Sequence, residues 1–311
     1  MKTTLIFDGN NALWRLAKKM PQLTGPDGKP IQVVYGFLRL IRAGIEDFEP
    51  NAALVVWDSG KPRLRIEMDP QYKAQRRKER DPEKEREFQM VMSQFRIVQK
   101  TLSHLGVRQI SIPDIEADDL ISVSCKTLQG KKIIVSSDQD MLQLVSESVS
   151  VFSPVKKVLY SVENFQKEIG LSPRQFLEMR ALAGDRSDEI PGVAKGFGEV
   201  TAKELISKYG SIETLYLPSV EKEVSSKGKR YALLYSKGAK ERAELNLRLM
   251  DLSRIESGTA AALIRGAAAG VQDGKLDKLA VLKYFREQQF NSLLSGFITW
   301  LKPFEMLSTE K

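Results

Sequence analysis

Thr4-Leu5-Ile6-Phe7-Asp8-Gly9-Asn10 is the stretch that decides the fold, because a short apolar run ends there at an acidic residue and a glycine. The same pattern returns at Ala52–Trp57 and at Lys132–Ser136, which Asp58 and Asp138 follow closely. Short apolar runs separated by segments of helical periodicity are typical of βαβ units. The sequence therefore predicts an α/β fold with a mostly parallel sheet. Ligands of such sheets gather beyond the carboxyl ends of the strands, where these acids fall.

The segments between and after these runs have the apolar spacing of helices. In the first half we expect helices over Asn11–Lys18, Val33–Asp47, Phe88–Leu105 and Ala117–Leu128, with another strand over Val107–Ile112. From residue 161 onward the pattern is mainly helical, and it predicts Val162–Ile169, Pro173–Leu182, Thr201–Tyr209 and an amphipathic helix over Leu276–Phe304. We therefore expect an α/β domain over residues 1–160 and a helical region over residues 161–311.

The composition excludes several kinds of active site. One cysteine, Cys125, and one histidine, His104, among 311 residues are too few for an internal disulfide or a Cys/His zinc site. A catalytic triad would depend on His104 alone, and no nucleophile motif lies near it. A metalloenzyme of this composition must use carboxylate oxygens, which suit Mg²⁺ or Mn²⁺. The net charge of +8, from 48 Lys and Arg against 40 Asp and Glu, permits a polyanionic partner.

Carboxylates form three local clusters in addition to Asp8 and Asp58. They are Glu116-Ala117-Asp118-Asp119, Asp138-Gln139-Asp140 and Asp185-Arg186-Ser187-Asp188. Each cluster alone is open to two interpretations, helix capping or metal binding. Capping needs one acid per helix, and several acids at one sheet edge repel one another unless cations neutralise them. Divalent ions are the more economical hypothesis, and two ions roughly 4 Å apart suit phosphodiester chemistry.

Two further segments are ambiguous by themselves. Lys61–Glu87 holds ten Lys or Arg and seven Asp or Glu with few apolar residues, which indicates a solvated loop or a charged helix face. The run Gly192-Val193-Ala194-Lys195-Gly196-Phe197-Gly198 leads into a helix. It is either an ordinary turn between helices or a set of backbone N–H groups that face a phosphate.

Together these residues resemble the 5′ nuclease family, that is, the flap endonucleases and 5′–3′ exonucleases of phages and of bacterial DNA polymerase I. Six motifs occur in family order and at family-like spacing: Leu5-Ile6-Phe7-Asp8-Gly9-Asn10, Val56-Trp57-Asp58, Tyr72-Lys73-Ala74-Gln75-Arg76, Glu116-Ala117-Asp118-Asp119-Leu120-Ile121, Ser136-Ser137-Asp138-Gln139-Asp140 and Gly184-Asp185-Arg186-Ser187-Asp188-Glu189-Ile190-Pro191-Gly192-Val193. The resemblance is clear over residues 1 to 250, and the chain looks like a stand-alone, phage-type member without a polymerase domain.

The resemblance implies a PIN-like, Rossmann-like sheet, a helical arch over residues 61–95 and a helix-hairpin-helix-like element over residues 184–216. It implies two Mg²⁺ or Mn²⁺ ions. Glu116, Asp118, Asp119 and Asp138 would hold the first ion, and Asp140, Asp185 and Asp188 would support the second. Asp8 and Asp58 would act on the ions directly or through waters.

The resemblance also implies how DNA is held. Lys73 and Arg76 would stabilise the scissile phosphate at the base of the arch, and Tyr72 would stack on a terminal base. Contacts to duplex DNA, without reading of its sequence, would come from Arg77, Gly192, Lys195, Gly196, Gly198 and Lys203, with a K⁺ ion as a candidate at that turn. The turn departs from the family pattern by one extra residue between Val193 and Gly196. Val200 also stands where a basic residue is common.

The resulting hypothesis is a monomeric, structure-selective 5′ nuclease that hydrolyses DNA phosphodiesters in replication or DNA degradation. Its substrates would be 5′ flaps, duplexes with single-stranded 5′ ends or RNA/DNA primers, and replication proteins are candidate partners. The alternatives are a non-catalytic DNA-structure-binding protein on the same fold and a PIN-like ribonuclease. No apolar run reaches about 18 residues, so we expect no membrane partner and a cytoplasmic location in a bacterial or phage-infected cell.

Overall fold

A six-stranded sheet forms the centre of the computed structural model, which describes residues 2–77, 81–254 and 275–307. Its strands are β1 (Thr3–Asp8), β2 (Ala52–Val56), β3 (Arg108–Ile110), β4 (Lys131–Val135), β5 (Val149–Ser153) and β6 (Val158–Tyr160). They lie in the order β3-β2-β1-β4-β5-β6, and all neighbours are parallel except β5 and β6. The predicted, mostly parallel α/β fold is confirmed.

Helices cover both faces of the sheet, as parallel strands require. In the first half these are α1 (Gly9–Lys19), α2 (Gln32–Phe48), α3 (Arg63–Met68), α4 (Pro82–His104) and α5 (Ala117–Thr127). Successive residues of β1 belong to opposite cores: Leu5 and Phe7 pack in one hydrophobic cluster with α2 and α4, and Ile6 packs in the other with α5. This period of two fixes the register of β1 between β2 and β4.

The second half of the chain is helical, as predicted. Its helices are α6 (Val162–Ile169), α7 (Pro173–Ala183), α8 (Glu199–Tyr209), α9 (Ile212–Leu215), α10 (Pro218–Ser226), α11 (Lys229–Ala232), α12 (Ala239–Met250), α13 (Lys278–Glu287), α14 (Asn291–Leu294) and α15 (Phe297–Glu305). The single helix expected over Leu276–Phe304 is wrong. Gln289, with φ of 51°, lies in the left-handed region just after α13, and Gly296 precedes α15, so three shorter helices pack there.

Two other boundaries differ from the sequence-based expectation. Strands β5 and β6 form an antiparallel hairpin that the apolar patterning did not indicate. Helix α4 begins at Pro82 rather than near residue 88, because the Asp81 side chain accepts a hydrogen bond from the backbone N–H of Lys84. The described part of the predicted arch therefore consists of α3, a short 3₁₀ turn over Ala74–Arg77 and the start of α4.

The division into domains at residue 160 stays a prediction, and Gly258–Gly274 lies outside the described residues.

Among the described residues, none of the helices combines the length and apolarity that crossing a lipid bilayer requires.

The lone thiol offers a test of the packing around α5. Cys125 is buried, and burial raises the pKa of its thiol to about 12. Because the thiolate is the reactive form, we expect Cys125 in the native protein to react with a disulfide reagent at pH 8 only as fast as the chain opens. Denaturant should then release one reactive thiol per chain. Thr299→Cys, at an exposed position on α15, is the matched control and should react at once in the native state. Rapid reaction of native Cys125 would contradict this packing.

Candidate active site

A cavity of about 860 Å³ opens at the carboxyl ends of β1 and β4 and at the amino end of α5. Nine acidic residues line it. One is Glu87 of α4, and the other eight come from five separate parts of the chain: Asp8, Asp58, Glu116, Asp118, Asp138, Asp140, Asp185 and Asp188. Eight of the nine acids that the sequence singled out as metal ligands therefore meet in one place. The prediction that they gather at one sheet edge holds for these eight.

Capping positions three of these acids. Asp8 ends β1 and accepts a hydrogen bond from the N–H of Asn11 at 3.0 Å, in the first turn of α1. Asp58 accepts from the N–H of Ala117, the first residue of α5, at 2.7 Å. Asp138 accepts from the N–H of Asp140 at 2.9 Å. Helix capping is thus correct for these three acids, but it does not account for the five others beside them.

The proximity of the carboxylates changes their ionisation. Burial, with smaller contributions from the charges of Asp138 and Asp58, raises the pKa of Asp8 to about 7. Burial and the charge of Asp138 raise the pKa of Asp140 to about 6, and the same causes raise the pKa of Asp118 well above its ordinary value. Ionising these carboxyl groups therefore costs free energy, as expected for like charges in a partly buried cavity. A bound cation offsets that cost.

Basic side chains already neutralise part of this charge. Lys73 Nζ lies 2.6 Å from Glu116 Oε1 and 3.2 Å from Asp188 Oδ2, and Arg76 lies 2.8 Å from Asp188. On α7, Arg180 contacts both Asp140 and Asp185. Burial opposes ionisation of Glu116, but Lys73 and Arg65 outweigh it, so the pKa of that carboxyl falls below its usual value. These pairs were not evident from sequence, although Arg180 stands on the last turn of a predicted helix five residues before Asp185.

Two predicted roles do not fit the geometry. Asp119 does not line the cavity, because both of its carboxylate oxygens contact the guanidinium of Arg65, at 2.6 and 2.7 Å. This geometry does not support the metal-ligand role of Asp119, which stays a prediction. Tyr72 is only 4% exposed, and its hydroxyl group lies 3.2 Å from Asp188 and 3.3 Å from Glu116. Its ring is packed in the protein and is not available to stack on a base.

The predicted DNA-binding turn lies between α7 and α8, which pack against each other. Lys195, Gly196, Gly198 and Lys203 are exposed, and Gly198 is the residue that precedes α8. Gly196 has φ of +82° with no atom within 4 Å of the position of a Cβ, so this part of the backbone is accessible. Gly192 differs, because a Cβ there would lie 2.6 Å from the carbonyl oxygen of Ala183. Its role is close packing. The side chain of Arg77 lies outside the described residues.

Comparison with known proteins places this site in a family. Residues 3–170 match the family described as 5′-3′ exonuclease, N-terminal resolvase-like domain, and residues 171–261 match 5′-3′ exonuclease, C-terminal SAM fold. The chain belongs to the 5′–3′ exonuclease family. It is 32% identical over 255 residues to a 5′-3′ exonuclease of Aquifex aeolicus, covering 81% of this chain and 82% of that one. It is 34% identical to DNA polymerase I of Streptococcus pneumoniae over 226 residues, 69% of this chain but only 25% of the polymerase.

Solved structures show the same fold. A flap endonuclease of bacteriophage T5, determined with DNA and metal ions, has a TM-score of 0.66 at 22% identity, covering 88% of this chain and 96% of that one. A zinc-bound 5′-exonuclease of T5 has a TM-score of 0.67 at 20% identity, covering 99% and 100%. As a member of its family the present chain is a nuclease, and the alternative of a non-catalytic binding protein gains no support.

The donor set of this 5′–3′ exonuclease fits divalent ions. These eight acids offer carboxylate oxygens, the donors that hard cations prefer. Burial raises the pKa values of Asp8, Asp118 and Asp140 among them, and bound cations would stabilise their charged forms. Among residues 2–77, 81–254 and 275–307, no three acidic, histidine or cysteine side chains are already arranged to hold an ion. The contacts of Lys73 and Arg180 with the acids explain this, because each basic group draws carboxylates toward itself.

The pair of Arg65 with Asp119 and Glu116 offers a stability test. Arg65→Met would remove both guanidinium contacts of the buried Asp119 carboxylate and one of the contacts of Glu116, which keeps Lys73. We therefore expect the free energy of unfolding to fall by about 3–5 kcal/mol in urea denaturation. Arg63→Met is the matched control, since Arg63 is exposed and, among the residues that the structure describes, forms an ion pair with Glu67 one turn away. It should cost about 0.5 kcal/mol or less. Equal effects of the two substitutions would contradict the structural role of Arg65.

Proposed function

We propose that this exonuclease is a structure-selective 5′ nuclease that cleaves DNA phosphodiesters at 5′ flaps and 5′ single-stranded ends, as a monomer and with two Mg²⁺ or Mn²⁺ ions. The observation that carries the proposal is the cavity itself. Eight carboxylates meet there beside Lys73 and Arg76, so groups that attract cations and groups that attract phosphate lie within one opening. The +8 net charge supports a polyanionic substrate in spite of the acidic cavity.

The acids divide into two sets by position. Glu116, Asp118 and Asp138 would hold one ion. Asp140 and Asp185, which both contact Arg180 of α7, would hold the other together with Asp188. Asp8 and Asp58 are tied to the backbone of α1 and α5, so they would support the ions from fixed positions. Ions bound there lower the pKa of water and offset the charge of the scissile phosphate. This chemistry needs no histidine.

Lys73 and Arg76 are the groups placed to hold the scissile phosphate. Burial works against the charge of Lys73, but Glu116 and Asp188 raise its pKa above the ordinary value, so the ammonium group stays protonated. Lys73 has φ of 50°, a left-handed conformation that costs of order 1 kcal/mol for a non-glycine residue. Its backbone N–H donates to the carbonyl of Asp188 at 3.0 Å. The hydrogen bond and the ion pairs with Glu116 and Asp188 hold Lys73 beside the acids in spite of this strain.

The part of the cavity lining that α1 and α4 supply suits a single strand. Trp14, Arg15 and Lys18 of α1 line it together with Lys84 and Phe88 of α4. The rings of Trp14 and Phe88 stack with centroids 5.9 Å apart. We assign to this aromatic pair the contact with a terminal base that the sequence had suggested for Tyr72, because these rings border the cavity. The basic side chains beside them would contact backbone phosphates.

The first test removes one proposed ion ligand without changing its shape. Asp138→Asn should lower cleavage of a labelled 5′-flap duplex in Mg²⁺ by at least about tenfold to a hundredfold, the range seen when a residue that only supports a metal ligand is changed. Binding to the flap without divalent ions should be retained or tightened, because a negative charge disappears. Labelled flap, nick, blunt-duplex and single-strand substrates, analysed together, separate endonuclease from exonuclease products.

The control for this test is Asp47→Asn, which changes an exposed acid near the end of α2. It should leave both cleavage and binding unchanged. Full cleavage by Asp138→Asn would remove the two-ion assignment.

The second test concerns the turn between α7 and α8. Lys203→Ala should weaken duplex binding at all sequences alike and reduce the slope of log Kd against log salt by about one, because one phosphate contact is lost. Lys283→Ala, a similarly exposed lysine on α13, serves as the control and should leave the slope unaltered. An unchanged slope for Lys203→Ala would place duplex contacts elsewhere.

A further inference from the structure

Asn246 on α12 is a buried polar residue that the proposed reaction leaves unexplained. Its exposed fraction is 0%, and its Nδ2 group donates to the carbonyl oxygens of Ala181 and Pro191, both at 2.8 Å. These partners lie 65 and 55 residues earlier in the chain. Ala181 precedes the loop that carries Asp185 and Asp188, and Pro191 follows it. One carboxamide therefore joins the two ends of this acidic loop.

Helix α7 ends at the start of this loop, so a carbonyl of its last turn needs a hydrogen-bond donor from outside the helix. In a continued helix the carbonyl of Ala181 would accept from the N–H of Asp185, but that N–H donates to the carbonyl of Ile190 at 2.8 Å. The N–H of Ile190 in turn donates to the carbonyl of Asp185 at 2.8 Å, which closes the neck of the loop. The carbonyl of Ala181 is thus left over at the helix end, and Asn246 satisfies it.

The far side of the loop contacts the base of the arch. The carbonyl of Asp188 accepts from the N–H of Lys73, and the Glu189 carboxylate accepts from the N–H of Gln75 at 2.7 Å. Glu189 itself has φ of 61°, in the left-handed region. The loop is therefore held at its neck by α12 and at its tip by the residues that follow α3. A shift of the neck would move Asp188 and Lys73 together.

The end of α12 also contacts the elements that carry the other acids. The carbonyl of Leu249 accepts from Arg65 Nε at 2.8 Å, and Arg65 pairs with Glu116. The carbonyl of Met250 accepts from the Gln143 side chain, which follows Asp140 by three residues. The end of α12 therefore contacts three parts of the site: the loop, Arg65 beside the amino end of α5, and the segment after β4.

Asn246 also carries a cost. Its Oδ1 atom is buried and has no hydrogen-bond partner among the described residues. A buried acceptor without a partner destabilises the fold, and an apolar side chain of similar size would avoid it. A polar group at this place is therefore better explained by what its two donated hydrogen bonds hold in position than by the stability of the core.

We propose that Asn246 is a positioning residue, which clamps the neck of the 185–190 loop so that Asp185 and Asp188 stay in register with the acids at the sheet edge. This inference deepens the proposed function of the same cavity and rests on it for its effect on cleavage. The clamp itself is a property of the folded chain, so it is measurable without DNA or ions.

The test is Asn246→Leu, which keeps the side-chain size and removes both donors. Hydrogen–deuterium exchange in the ion-free protein should become at least about tenfold faster at the amides of Asp185 and Ile190, while the β1 and β4 amides stay protected. In flap cleavage with Mg²⁺, kcat should fall by roughly tenfold to a hundredfold with KM for DNA changed less than about threefold, because acids are misplaced but the DNA-binding surface is not.

Leu215→Ala is the control for general destabilisation. Leu215 on α9 is fully buried and belongs to the hydrophobic cluster that also contains Ala243 and Leu249 of α12. It should lower Tm without selective exchange in the loop and without the split between kcat and KM. If Asn246→Leu does not fold, Asn246→Ala tests the same two hydrogen bonds with less demand on packing. Unchanged loop exchange, or an equal kcat loss in Leu215→Ala, would overturn the proposal. If the wild-type protein does not cleave, the proposed function fails and the exchange data alone decide on the clamp.

Discussion

The repulsion among carboxylates at one edge of the sheet is the constraint on which the rest of the structure depends. Five separate segments deliver acids to a single cavity, and burial raises the pKa values of several of them. Such an arrangement persists only if each acid is fastened. Backbone N–H groups donate to four of them, Asp8, Asp58, Asp138 and Asp185. Lys73, Arg76 and Arg180 contact Glu116, Asp140, Asp185 and Asp188. Much of the polar network around the cavity is explained by this need.

Lys73, Arg76 and Arg180 could each bind either a carboxylate of the site or an incoming ligand. In the structure they contact carboxylates, and a phosphate or a metal ion entering the cavity competes for one side of each pair. A cation held by Glu116 and Asp188 would compete with Lys73 for these carboxylates, and the ammonium group would then be free to contact a phosphate. Ion binding and phosphate binding are therefore coupled through the side chains that separate the acids.

The sequence was sufficient to predict the parts that depend on local pattern. Apolar runs ending in acids predicted β1, β2 and β4 and the edge at which their acids meet, because the period of a strand and the polarity of its end are local properties. Asp119 escaped this reasoning, since its neighbour Asp118 has the same local signature and only the packing of Arg65 from α3 distinguishes them. Tyr72 was misjudged for the same reason, and the short hairpin of β5 and β6 has too few residues for a clear period. Asn246 gave no local signal, because its partners lie more than fifty residues away.

The position of α12 in the chain has a consequence for the order of events in synthesis. All the acids of the cavity precede residue 190, whereas the helix that joins their supporting elements ends at residue 250. During translation all the acids of the cavity are synthesised well before α12, the helix that contacts their supporting elements, has left the ribosome. Contacts of such long sequence separation form late in folding. The nascent chain therefore holds the ingredients of a nuclease without its geometry, and nearby nucleic acid is not exposed to an active site until most of the protein has been made.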